Sequence, residues 1–172
     1  LAGRMVGGDE PVELEGAAVA SGGVVVPDAV PRSGEPPVVL SCRSTREREH
    51  AMVQRVRAVL REGRASAGEI GVLCSTDKAA ARAAVVLREA GLPVVLLAEH
   101  DGAPLAAIRI GTIARAKGLD YRQVLLPEVR ADEISPTVPP GDPIEQERWG
   151  LRRRELYVGM TRAREGLWIG VL

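Results

Sequence analysis

IGVLCSTDKAAARAAVVLREAGLPVVLLA, residues Ile70 to Ala98, decides the fold. Its first five residues, Ile70-Gly71-Val72-Leu73-Cys74, form an apolar run too short for a helix and closed by polar Ser75 and Thr76, which predicts a buried strand. Asp77 then predicts the cap of a helix that carries Val86, Leu87 and Ala90, ends at Gly91, and has Pro93 just beyond. Leu92 to Ala98 is apolar again and predicts the next strand. Strand, helix, strand in 29 residues requires a parallel pairing made through a crossover, and such crossovers are right-handed.

The same alternation continues in both directions. Upstream, Val38-Val39-Leu40-Ser41-Cys42 reads as a strand, and Ser44-Thr45-Arg46-Glu47 reads as a capping box that opens a helix. Met52, Val53, Val56, Val59 and Leu60 recur at the spacing of one buried helical face, and Gly63 ends it. Downstream, Ile108 to Ile113 and Gln123 to Leu126 predict two more strands with a Lys117-Gly118 turn between them. After a loop from Ala131 to Gly141, Asp142-Pro143-Ile144-Glu145 supplies an N-cap, a proline in the first helical position and a glutamate in the first turn. That last helix is expected to run to Gly166, and Leu167 to Leu172 to form a final strand. The expectation is therefore an α/β fold: a mostly parallel sheet of about five to seven strands with helices on both faces. Residues 1–37, rich in Gly, Pro, Val and Ala, are expected to be a weakly structured lead-in to a domain spanning 38–172.

Composition narrows the function classes. The 172 residues are 45% apolar and 27% charged, as expected of a globular domain. The longest apolar runs fall far short of the roughly 20 residues a bilayer span needs, and the first residues lack a basic-then-apolar secretory pattern, so a cytoplasmic location is expected. Twenty-three basic residues balance twenty-three acidic ones; any nucleic-acid contact must be local rather than the work of a global field. Cys42 and Cys74, like His50 and His100, lack metal-ligand spacing, so no metal site is expected and both cysteines are read as reduced, buried thiols. A chain that starts at Leu1 rather than Met is expected to be a segment of something longer.

Two stretches carry chemistry. One is Gly111-Thr112-Ile113-Ala114-Arg115-Ala116-Lys117-Gly118-Leu119-Asp120-Tyr121, and the other is Glu155-Leu156-Tyr157-Val158-Gly159-Met160-Thr161-Arg162-Ala163-Arg164. In this order and spacing they resemble the last two signature motifs of the UvrD/Rep-like superfamily 1 DNA helicases. Residues 70–94 resemble the family segment in which a strand, a polar pair and a helix lead to Gly-Ile-Pro. On a helical wheel at roughly 100° per residue, Trp149, Leu156, Met160 and Ala163 share one arc. Arg162 and Glu155 superimpose outside it, so Arg162 is expected to point off the domain and Arg164 toward a different side.

The resemblance implies the carboxy-terminal RecA-like domain of a helicase motor. It makes Arg162 the arginine finger, a permanently charged planar group suited to a transferring phosphoryl. Gly118 would lie close to the γ-phosphate beside Lys117, and Asp120 stands where a glutamate holds the ribose. Thr112 and Thr161 would contact DNA. Arg162, Gly118 and Asp120 are expected together at the carboxyl edge of the sheet, where ligands of open α/β sheets sit. The chain departs from the pattern at Ala114, where the family has His, at Asp120, one methylene short, and at Tyr121, where it has Phe.

The sequence contains no Gly-x-x-x-x-Gly-Lys-Ser/Thr loop and no acidic pair closing a strand to hold Mg²⁺. ATP and Mg²⁺ are therefore expected to need a missing amino-terminal RecA-like domain. Single-stranded DNA is the expected partner, bound weakly because aromatic stacking platforms are few. A non-catalytic interaction module on the same fold is the alternative: Ala114 and the zero net charge favour it, and the intact Thr161-Arg162 pair opposes it.

Overall fold

A computed structural model describes residues 36–99, 106–137 and 141–172. Its strands are β1 (Val38–Ser41), β2 (Ile70–Cys74), β3 (Val94–Leu96), β4 (Ile108–Thr112), β5 (Tyr121–Val129) and β6 (Ala163–Val171). They form one sheet in the order β1-β6-β5-β2-β4-β3, with every pairing among the described residues parallel. This is the expected α/β, RecA-like class. The lead-in predicted for residues 1–37 lies outside the described residues except for its last two.

The helices are α1 (Thr45–Arg61), α2 (Asp77–Glu89), a single turn α3 (Ala131–Ile134) inside the expected loop, and α4 (Pro143–Met160). Local chemistry explains their starts. Ser44 Oγ accepts from Glu47 N at 3.2 Å, and Asp142 Oδ1 accepts from Glu145 N at 2.8 Å, each satisfying an amide that the first turn leaves without a partner. The cap of α2 is Thr76 rather than Asp77: its hydroxyl accepts from Ala79 N at 3.2 Å, which makes Asp77 the first helical residue.

The sheet is covered on both faces. On one, Met52, Val56 and Val59 of α1 and Ala83, Ala84 and Leu87 of α2 pack on Ile70, Val72, Ile108, Ile110, Leu125 and Trp168. On the other, Leu156 of α4 joins Ile113, Ala116, Tyr121, Val124, Leu126 and Ile169. The strands in the middle of the sheet are apolar almost throughout, as parallel strands buried on two sides must be.

The last helix corrects the sequence reading. It stops at Met160, not Gly166, and residues 163–171 are strand. Ala163, Arg164 and Glu165 suit a helix by propensity, but β5 begins at Tyr121 and offers a partner along this whole length, with Tyr121 opposite Ala163 and Val129 opposite Val171. Tertiary pairing outweighs a preference worth only tenths of a kcal/mol per residue. β5 is correspondingly longer than the expected Gln123 to Leu126.

Candidate functional site

Because β5 and β6 run parallel and start level, the residues just before them meet at the amino edge of the sheet. Tyr121 N donates to Arg162 O at 2.8 Å, which sets Asp120 beside Arg162. Arg162 Nη1 lies 3.6 Å from Asp120 Oδ1, and Arg164 Nη2 lies 3.3 Å from Asp120 Oδ2. One carboxylate thus faces two guanidinium groups, one on each oxygen.

Arg162 sits in the turn that leaves α4. Its Nε donates to Val158 O at 3.2 Å and its Nη2 to Thr161 Oγ1 at 3.3 Å, while Thr161 Oγ1 donates to Val158 O at 2.8 Å. The guanidinium is fixed to the end of the helix, yet the side chain stays 23% exposed and Asp120 41%. Three expectations are corrected here. Arg162 does not share a helical face with Glu155, because the helix has already ended. It lies at the amino edge of the sheet, not the carboxyl edge. Arg164 does not point to a different side, because residues two apart across the start of a strand share a face. A reading that began β6 at Ala163 would have found Arg164; the helical wheel concealed it.

Gly118 closes a short helical turn in which Ala116 N donates to Thr112 O and Lys117 N to Ala114 O. Its φ of 84° is left-handed, a conformation that glycine adopts without the steric cost other residues bear. A Cβ at this position would meet nothing within 4 Å, so the space beside its backbone is open. Lys117 is exposed next to it.

Thr112 is not part of this cluster. It ends β4 opposite Cys74, whereas Gln123, three residues after Asp120, is opposite Ile70 at the start of β2. At about 3.3 Å per residue the two ends are roughly 20 Å apart along the strands. Thr112 is 8% exposed, and its hydroxyl accepts from Arg115 N at 3.2 Å, capping the turn that leads to Gly118. The structure therefore joins Asp120, Thr161 and Arg162 along one edge and sets Thr112 on the other, with Lys117 and Gly118 on the connecting turn that starts at Thr112. Ala114, in the place of the family's His, is exposed on the intervening turn.

A cleft of about 320 Å³ opens beside Asp120, lined by Arg109, Arg122 and Arg164 with Glu69 and Glu165. Arg122 is tied to Glu165 at 2.7 Å. Beneath it Tyr121 is fully buried, its hydroxyl has no hydrogen-bonding protein group within reach, and burial pushes its pKa up to about 12. A second cleft of about 340 Å³, lined by Arg130, Asp132, Arg148, Trp149 and Arg152, lies past the carboxyl end of β5 and contains none of the predicted site residues. Among the described residues no group of three or more His, Cys, Asp or Glu is placed to hold a metal ion.

A single parallel sheet with helices on both faces places the chain in the RecA-like α/β fold class. Within it, residues 97–172 match the family model of the UvrD-like helicase C-terminal domain. That segment holds all six predicted site residues, and over it the recognition drawn from the two motifs stands. No curated protein matches the chain. Among solved structures, the C-terminal domain of a possible DNA helicase from Lactobacillus plantarum is similar, with a TM-score of 0.63 at 16% identity over 83% of this chain and 78% of that one. At such identity the likeness shows the fold. Among the described residues no helix is long and apolar enough to cross a membrane.

Proposed function

We propose that the chain is the second half of an ATP-driven DNA helicase motor, supplying the arginine finger and the ribose contact to an ATP site completed by an amino-terminal RecA-like domain. The observation that carries this reading is the pairing of Arg162 with Asp120 at the amino edge of β5 and β6. Two groups of the required chemistry stand side by side there, partly exposed, on a rigid sheet.

In that role Arg162 sets its planar guanidinium against the phosphates, where developing charge is best neutralised by a preorganised donor. Val158 O and Thr161 Oγ1 hold it in place, so little ordering remains to be done when the halves close. Asp120 presents carboxylate oxygens that accept hydrogen bonds from sugar hydroxyls. Gly118 lets backbone approach a phosphate closely, and Lys117 adds positive charge at its side. ATP brings the phosphoryl group to be transferred, and its Mg²⁺ belongs to the amino-terminal domain. Thr112 and Thr161 remain the proposed DNA contacts, Thr112 at the carboxyl end of β4 and Thr161 beside Arg162.

On this reading the isolated 172-residue chain is half a site. Purified alone, it is expected to show no DNA-stimulated ATP hydrolysis. Such activity, abolished by Arg162→Ala, would overturn the reading. The non-catalytic alternative draws on exposed apolar side chains that share one face of α4, Ile144, Leu151 and Val158, which suit a docking face. ATP turnover by the parent protein that depends on Arg162 removes it.

A further inference from the structure

We infer that the outer face of α4 is a self-association surface, on which a second copy of this chain docks with its own α4 running antiparallel to the first. The inference stands apart from the nucleotide-site reading. One side of α4 is spent on the domain itself: Trp149 and Leu156 are buried, and Trp149 Nε1 donates to Asp132 O at 2.9 Å. On the other side Ile144, Leu151 and Val158 recur every seven residues and are 61%, 54% and 38% exposed. Seven residues are close to two turns, so the three side chains form one apolar stripe about 20 Å long. None of them belongs to either apolar core.

Charge decides what fits the stripe. By helical spacing Glu147 and Arg154 border it on one flank, and Arg148 and Glu155 border it on the other. None of the four has an ion-pair partner among the described residues. When a second α4 runs the opposite way with Leu151 against its own copy, Ile144 meets Val158 of the second copy at both ends of the stripe. Antiparallel helices also set like flanks together, so Glu147 falls beside Arg154 of the second copy and Arg148 beside its Glu155, each pair formed twice. A surface complementary to its own reversal is what an isologous two-fold contact requires. A parallel arrangement does worse, because it sets Arg152, Arg153 and Arg154 level with the same three arginines of the other copy and aligns the two helix dipoles. An unrelated helix would have to reproduce the pattern; the second copy already carries it. One helix pair is a small contact, so the dimer is weak and reversible, with a Kd on the order of 10 to 100 µM.

The test is sedimentation equilibrium of the 172-residue chain from about 1 µM to about 500 µM, which brackets the expected Kd. The wild type should pass from monomer to dimer across that range. Leu151→Glu sets two carboxylates against each other at the two-fold axis, and Glu147→Arg and Arg154→Glu each set like charges together, so each should weaken the dimer at least about tenfold. The double variant Glu147→Arg with Arg154→Glu swaps the pair and should return to within about threefold of wild type. All of these positions are exposed, so the circular dichroism spectrum should be kept. Direction is read by disulfide capture on a Cys42→Ser background: Ile144→Cys mixed with Val158→Cys should link across copies faster than either alone. A chain that stays monomeric to the highest concentration overturns the inference and leaves the stripe to a different protein. So does a dimer that survives Leu151→Glu, since the copies then meet elsewhere, or a double variant as weak as the single ones. Ile144→Cys linking to itself faster than to Val158→Cys overturns the antiparallel register.

Discussion

Tyr121 shows how a family pattern and a local environment can disagree at one atom. The resembled motif has Phe there, and this chain adds a hydroxyl that is buried without a hydrogen-bonding protein group. Leaving a polar group so placed costs about 1–3 kcal/mol, more than the hydroxyl returns. Tyr121→Phe is accordingly expected to raise stability by about 1 kcal/mol in urea unfolding, with an unchanged m-value. A loss of stability would mean that the hydroxyl is hydrogen-bonded in solution. At this scale much was legible in advance. Asp120, Gly118 and Arg162 were singled out from their motifs, and the glycine's turn is confirmed by its left-handed φ. What one residue's identity does not reveal is its partner: the contact of Arg164 with Asp120 joins positions 44 apart in sequence.

Elements were predicted best where capping chemistry is local and worst where pairing is long-range. Ser44 and Asp142 start their helices as read, because an N-cap needs only the next three residues. The end of α4 failed the same reading, because β5 decides it from forty residues away. Moving that boundary six residues, from Gly166 to Met160, placed Arg162 at the amino edge instead of the carboxyl edge and turned Arg164 to the same side. Close approach between elements also has a sequence trace that is easy to miss. Gly71 in β2 lies under the Tyr121 ring, and a Cβ there would come within 2.7 Å of two ring carbons. The ring is fully buried and has nowhere to go. Gly71→Ala is expected to cost about 1–3 kcal/mol through overpacking, read as a lower melting temperature. An unchanged melting temperature would show that β2 and β5 can slide apart at little cost.

Across the whole molecule the alternation of strands and capped helices was sufficient to foresee a parallel sheet covered on both faces, since few arrangements bury such strands. The strand order, with β5 and β2 between β6 and β4, was not legible, because it depends on which crossovers skip a neighbour. The central position of β2 makes a thiol experiment informative. Cys74 ends that strand, fully buried, with its pKa pushed up to about 12 chiefly by desolvation, whereas Cys42, expected to be buried too, is only half-buried. In native buffer a maleimide or disulfide reagent should modify Cys42 readily and Cys74 only as the sheet opens. Equal rates at the two would contradict a closed two-sided core. The central claim, that this sheet edge completes an ATP site, is tested most directly by steady-state ATP turnover of the parent protein carrying Arg162→Lys. Lysine keeps the charge and loses the planar fork, and the hydrogen bonds it gives up, to Val158 O and Thr161 Oγ1, lie at the end of a helix, so turnover should fall by at least ~10²-fold while the melting temperature and DNA binding stay near wild type. Turnover close to wild type, or a collapse in melting temperature that accounts for the loss, would contradict the assignment and leave Arg162 as a brace at the end of a helix.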